Sequence, residues 1–172
     1  MNPPEWKGKS KELILEACRH GEAKLQAQVQ IATSADQRAT VLAGIYAATA
    51  TGIIGVIASN EPFHHFGPFL VGALVTMTAF LVGAFLCILA TLPVDFWTPG
   101  NNPEEWYRDI LAGTAIEVAV GEQASHFNSA IHANNKVLVR NARLFFWGAL
   151  FGIMAPLIGF FAAGITCLLA VV

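Results

Sequence analysis

Charge is unusually scarce in this chain. Only 13% of its 172 residues are Asp, Glu, Lys or Arg, against about a quarter in an ordinary soluble domain. Ten Lys plus Arg against twelve Asp plus Glu leave a net charge of -2. Bulk nucleic-acid binding, which draws on a strongly basic surface, is therefore not expected. Cysteine is scarce too. Cys18, Cys87 and Cys167 lie far apart with no CxxC pair, which implies free thiols rather than a disulfide framework or a metal site. Met1 to Arg38 contains no apolar core, so no secretory leader is expected. GxSxG, HExxH, P-loop and GxGxxG motifs are all missing. The chain reads as a non-enzyme with no cofactor, no metal and no catalytic residue.

Apolar side chain is what there is instead: 55% of residues are hydrophobic and the mean hydropathy is +0.53. That excludes a disordered chain and argues for a membrane protein. Three uncharged runs stand out, Ala39–Asn60 with 22 residues and Phe66–Val94 and Leu144–Val172 with 29 each. A helix crosses a bilayer core in about 20 residues at about 1.5 Å each, so all three are long enough. The third is too short for two spans, and its Pro156 implies a kink rather than a break. Two spans plus an interfacial helix is the competing count.

All ten basic residues fall before the first run or between the second and third. This places the N-terminus in the cytoplasm and the C-terminus outside, with a tight external turn at Glu61-Pro62. The expected fold is an all-α integral membrane protein of three transmembrane helices with long cytoplasmic extensions. Its parts are a cytoplasmic amphipathic helix over 1–38, a two-span hairpin over 39–94, a cytoplasmic helical region over 95–143 and a third span over 144–172.

Periodicity organises the polar parts. Ile14, Cys18, Gly21, Leu25, Gln28, Ala32, Ala35 and Ala39 alternate four and three residues apart, a heptad-like seam of mostly small side chains on one helix from about Ser10. Val120, Ala124, Phe127, Ile131, Asn134, Leu138, Asn141 and Phe145 repeat the pattern with no helix breaker between Gly121 and Pro156. The last cytoplasmic helix should therefore run straight into the third span, with Asn134 and Asn141 as register-fixing amides in its seam. Asn102-Pro103-Glu104-Glu105 predicts a short helix starting at an Asn N-cap and ending near Gly113. Thr114 and Glu117 predict a capping box for the helix after it.

Few residues suggest chemistry. Glu122 and His126 are one helical turn apart, but two ligands make no metal site, and a solvated face explains them. His64-His65 belongs with the external turn, and Trp97, Trp106 and Trp147 fit an interfacial aromatic belt. None of the three runs holds an ionisable Asp, Glu, Lys, Arg or His, which argues against a proton-coupled or charged-substrate carrier. They hold small residues at four-residue spacing instead: Gly44, Ala48 and Gly52 in the first, Gly148 and Gly152 in the third. Such stripes serve either packing within the monomer or self-association as a homo-oligomer. Lys136, Arg140 and Arg143 share a basic face, with Arg38 and Arg108 as possible contributors. Anionic headgroups, a phosphate-bearing small molecule and plain solvation are its three readings; the planar fork of Arg140 makes it the better phosphate partner than Lys136.

Ala35-Asp36-Gln37-Arg38-Ala39, opening the first run, resembles the Asp-x-Lys/Arg-Ala step at the same place in the Pycsar transmembrane effector family. Asn102-Pro103-Glu104-Glu105-Trp106, Gly121-Glu122-Gln123-Ala124 and Ile131-His132-Ala133-Asn134-Asn135-Lys136 also resemble that family's cytoplasmic region. The similarity covers roughly residues 20 to 165 through short motifs in matching order. It implies a bacterial inner-membrane effector of anti-phage defence, paired with a pyrimidine nucleotide cyclase. Cyclic CMP or cyclic UMP is then the expected ligand, and loss of membrane integrity the expected outcome. Unlike some relatives, the chain has no recognisable separate cyclic-nucleotide-binding domain. A non-catalytic structural or accessory membrane subunit, anchoring a partner complex, is the alternative.

Overall fold

A computed structural model describes residues 6, 8–59 and 67–170. Of the described residues 87% are helical and none lies in a strand. Four helices follow in order: α1 (Lys11–Ser59), α2 (Gly67–Ala90), α3 (Pro103–Ala112) and α4 (Ile116–Leu169). α1, α2 and α4 are each long and apolar enough to cross a membrane. The turn expected at Glu61-Pro62, with His64 and His65, lies outside the described residues.

Local chemistry accounts for half of the helix ends. The Ser10 carbonyl accepts the Ile14 N–H at 3.2 Å, and its hydroxyl bonds the Glu12 carboxylate at 2.8 Å. Backbone and Ser10 hydrogen bonds hold Glu12 below the usual carboxylate range, which suits an acid at the positive end of a helix dipole. α3 begins at the expected Asn102, but that side chain makes no capping hydrogen bond; the Asn102 carbonyl accepts the Glu105 N–H at 3.0 Å. Asn102 is extended (φ -66, ψ 135), Pro103 takes the first turn, and Gly113 closes the helix at φ 66, where a side chain would be strained. The start of α4 differs from the capping-box expectation. Ala115, not Thr114, accepts its first bonds, from Val118 N–H at 2.9 Å and Ala119 N–H at 3.2 Å. Thr114 N–H is instead spent closing α3 onto the Asp109 carbonyl at 3.0 Å. α4 continues through Pro156 without a break.

The chain divides into two units. The first comprises Met1–Ser34 and Val94–Val139, the second Ala35–Pro93 and Arg140–Val172. α1 and α4 belong to both units without interruption.

Along α1, Ile14, Leu25, Gln28 and Ala39 of the expected seam are buried. Ala35 is exposed and Asp36 half-buried in its place. A straight helix drifts about 20° per heptad against a strict 3.5 repeat, so after three heptads contact passes to the next position. Along α4 the expected Val120, Phe127 and Asn134 are buried.

Candidate functional site

The first unit is joined by polar side chains. Asn134, 0% exposed, donates from Nδ2 to the Trp97 carbonyl and accepts the Trp97 N–H on Oδ1, both at 2.9 Å. The amide thus holds the segment after α2 rather than fixing register against α1, which corrects the sequence expectation. The Trp97 ring meets His126 edge-on with centroids 5.3 Å apart, so it is not simply a free interfacial aromatic. Asn101 Nδ2 donates to Gln123 Oε1 at 3.1 Å, Gln28 Nε2 to the Ile131 carbonyl at 3.2 Å, and Trp6 Nε1 to Ser125 Oγ at 3.2 Å. Gln28 Oε1 and Gln123 Nε2 are buried without a partner. Apolar packing between α1 and α4 centres on Leu25, Phe127 and Ala130, with half-buried Cys18 beside them. Burial and the nearby Glu22 push the Cys18 thiol up, which makes it a poor nucleophile.

The second unit is joined by the lack of side chains. A Cβ on Gly148 would lie 2.9 Å from the Gly83 carbonyl oxygen, and one on Gly72 would lie 2.8 Å from that of Gly159. These two crossings of α2 with α4 are eleven residues apart on both helices. Eleven residues make three turns, so the contacts return to the same face. Gly152 gives the Tyr46 ring its place, and Tyr46 donates its hydroxyl to the Ala149 carbonyl at 3.2 Å. Tyr46, Ala39, Ala43, Ala84 and Cys87 form the core there. Thr49, Thr51, Thr76, Thr78 and Thr166 all turn their hydroxyls back to the carbonyl four residues earlier. No polar hydrogen is left pointing outward from them, as an apolar surrounding demands.

The two small-residue stripes therefore have different surroundings. Gly148 and Gly152 are buried within this unit. Gly44, Ala48 and Gly52 are exposed, and a Cβ on Gly44 or Gly52 would meet nothing within 4 Å. Between α2 and α4 an apolar groove of about 490 Å³ runs past Phe69, Thr76, Pro156, Phe160 and Cys167. Cys167 is its one thiol.

The basic candidates are all exposed: Arg108 and Lys136 in the first unit, Arg38, Arg140 and Arg143 in the second. Among the described residues none of them faces a carboxylate in an ion pair; the recorded pairs join Glu16 to Arg19 and His20. Arg140 bonds only the neighbouring Asn141 side chain, from Nε at 3.2 Å and Nη2 at 3.1 Å. No group of three His, Cys, Asp or Glu among the described residues is placed to hold a metal. Sequence reasoning missed Tyr46, whose signal was an isolated tyrosine in an apolar run. It also missed Gly72, Gly83 and Gly159, none of which has a glycine four residues away.

The fold defines a class, an all-helical chain with three helices of membrane-crossing length. Comparison with protein-family models, with characterised proteins and with solved structures finds no significant match to this chain.

Proposed function

We propose that the protein is a non-catalytic effector of bacterial anti-phage defence, seated in the inner membrane with its N-terminus in the cytoplasm and its C-terminus outside. A cyclic pyrimidine nucleotide from a partner cyclase switches it, and as a homo-oligomer it impairs the integrity of the bilayer. The observation that carries this reading is the continuity of α1 and α4 through both units. A ligand that binds two arrangements of the first unit with different affinity then biases how the membrane-length segments pack. Exposed Gly44, Ala48 and Gly52 support the assembly step, because small residues let helices approach closely in lipid. The resemblance of the motifs around Asp36, Pro103, Glu122 and Asn134 to the Pycsar effectors supports the choice of trigger. A cationic side chain suits the nucleotide's phosphate, and Arg108 and Lys136 are the candidates in the first unit.

The test is dye release from proteoliposomes holding the full chain. Cyclic CMP or cyclic UMP should provoke leakage, and cyclic AMP should not. Tight vesicles with both pyrimidine nucleotides would remove the effector reading and leave the accessory subunit, which instead predicts co-purification with a membrane partner.

A further inference from the structure

The described part of the second unit holds only four charged residues, Asp36, Arg38, Arg140 and Arg143. All four lie where α1 and α4 enter that unit, so they gather at one end of a bundle that is otherwise uncharged over its described length. Three are arginines and all three are exposed, while Asp36 is half-buried. Among the described residues no carboxylate pairs with them, and the side-chain contact recorded for Arg140 is the neutral Asn141 amide. Trp147 stands one turn beyond Arg143 on α4, 52% exposed, with its ring edge-to-face on Phe146. An exposed indole beside unpaired cations, at the edge of an apolar surface, has the makeup of a headgroup-level anchor.

From this arrangement we infer that Arg38, Arg140 and Arg143 form a collar that binds the phosphodiester groups of anionic phospholipids on the cytoplasmic leaflet. The inference rests on reading α1, α2 and α4 as membrane-spanning. Lipid is the favoured source of the phosphodiester because the collar adjoins exposed apolar side chains, Val41 and Ile45 on α1 and Phe146 and Trp147 on α4. Acyl chains cover such side chains and a small soluble anion does not. The guanidinium fork matches a phosphate in two parallel hydrogen bonds, so arginine suits the role better than lysine. The assignment also divides the basic candidates, leaving Arg108 and Lys136 to the trigger.

The test titrates the full-length chain in detergent with phosphatidylglycerol or phosphatidylcholine of the same acyl chains and counts bound lipids by native mass spectrometry. Phosphatidylglycerol should bind about tenfold tighter or more, and Arg140→Gln alone should weaken it about fivefold. The triple variant Arg38→Gln, Arg140→Gln, Arg143→Gln should bring the two lipids within about twofold, while the triple Arg→Lys variant keeps part of the preference. Lys24→Gln, which removes an exposed charge from the first unit, should change nothing. A preference unchanged in the triple Gln variant, or lost equally in Lys24→Gln, overturns the collar. Displacement of phosphatidylglycerol by millimolar cyclic CMP, with the same arginine dependence, assigns the site to a soluble phosphodiester and overturns the lipid source. Flotation with vesicles after an alkaline wash keeps the two readings apart. Wild-type chain that washes off overturns the membrane reading itself, whereas chain that floats but shows no lipid preference overturns the collar alone.

Discussion

The two units hold helices together by opposite means. In the first, amides and hydroxyls reach between elements: Asn134 to Trp97, Gln123 to Asn101, Gln28 to Ile131, Trp6 to Ser125. In the second, glycines bring backbones together at Gly83–Gly148 and Gly72–Gly159, and the recorded side-chain bond between helices is that of Tyr46 to Ala149. The contrast follows from the surroundings each unit suits. Where water competes, a polar contact contributes only about 1 kcal/mol net, but several together select one arrangement. Where lipid surrounds a helix, burying apolar surface against a neighbour gains little, and close van der Waals packing has to hold the helices. The lesson is that small residues are informative by what faces them, not by their spacing.

The largest effect expected in the second unit comes from breaking it at one of its own close contacts. In Gly152→Leu the added side chain collides with the Tyr46 ring. Overpacking of this kind typically costs about 1–3 kcal/mol, and here the upper end applies because the obstacle is a buried aromatic. Gly52→Leu adds the same bulk where nothing lies within 4 Å, so it should leave monomer stability within about 0.5 kcal/mol and act on assembly alone. Denaturation in detergent, paired with oligomer size in nanodiscs, separates the two. Equal losses of stability would erase the distinction between the stripes.

That distinction also marks how far the sequence can be read. The three apolar runs, the seam through Val120, Phe127 and Asn134, and the α3 boundaries at Pro103 and Gly113 all follow from periodicity and local backbone chemistry. Those are properties of one helix at a time. The partner of Asn134 lies 37 residues away in an irregular segment, and no helical period connects them. Gly44 and Gly148 belong to equally regular stripes, yet one is open and the other meets Cys87. Spacing specifies a face of a helix but not the neighbour that covers it. Thr114 shows the same limit on a small scale, since two helix ends compete for it and the sequence alone does not rank them.

A smaller effect is expected where the first unit is stitched. Asn134→Ala removes the donor to the Trp97 carbonyl and the acceptor of its N–H together. Two neutral hydrogen bonds and their partly buried partners make this worth about 2 kcal/mol. If the loss falls on local opening, hydrogen exchange at the Trp97 amide should speed up on the order of thirtyfold. Exchange at Tyr46, in the second unit, should not change. An unaltered Trp97 rate would mean that the segment is held by its ring against His126, and the amide would lose its role.

The smallest effect tests whether every polar stitch in the first unit stabilises. Gln28 is 7% exposed and donates from Nε2 to the Ile131 carbonyl at 3.2 Å, while its Oε1 has no partner. Ile131 lies in the interior of α4, where its carbonyl also serves the helix's own hydrogen-bond ladder. Losing the Gln28 bond therefore leaves no orphan on α4. Gln28 itself bears the cost of a desolvated oxygen, a group whose burial without a partner is unfavourable by about 1–3 kcal/mol. Methionine is close to glutamine in length and volume and fills irregular space well. Gln28→Met should then be neutral or stabilising by up to about 1 kcal/mol, in contrast to Leu25→Ala three residues away. That side chain is 0% exposed, and its loss should cost about 2–5 kcal/mol. Chemical denaturation of the full chain in detergent, followed by far-ultraviolet circular dichroism, measures both. A loss above about 2 kcal/mol in Gln28→Met would show that the buried oxygen is satisfied, by an ordered water for instance. Gln28 would then join Asn134 as a stitch that holds, and the first unit would carry one fewer polar liability.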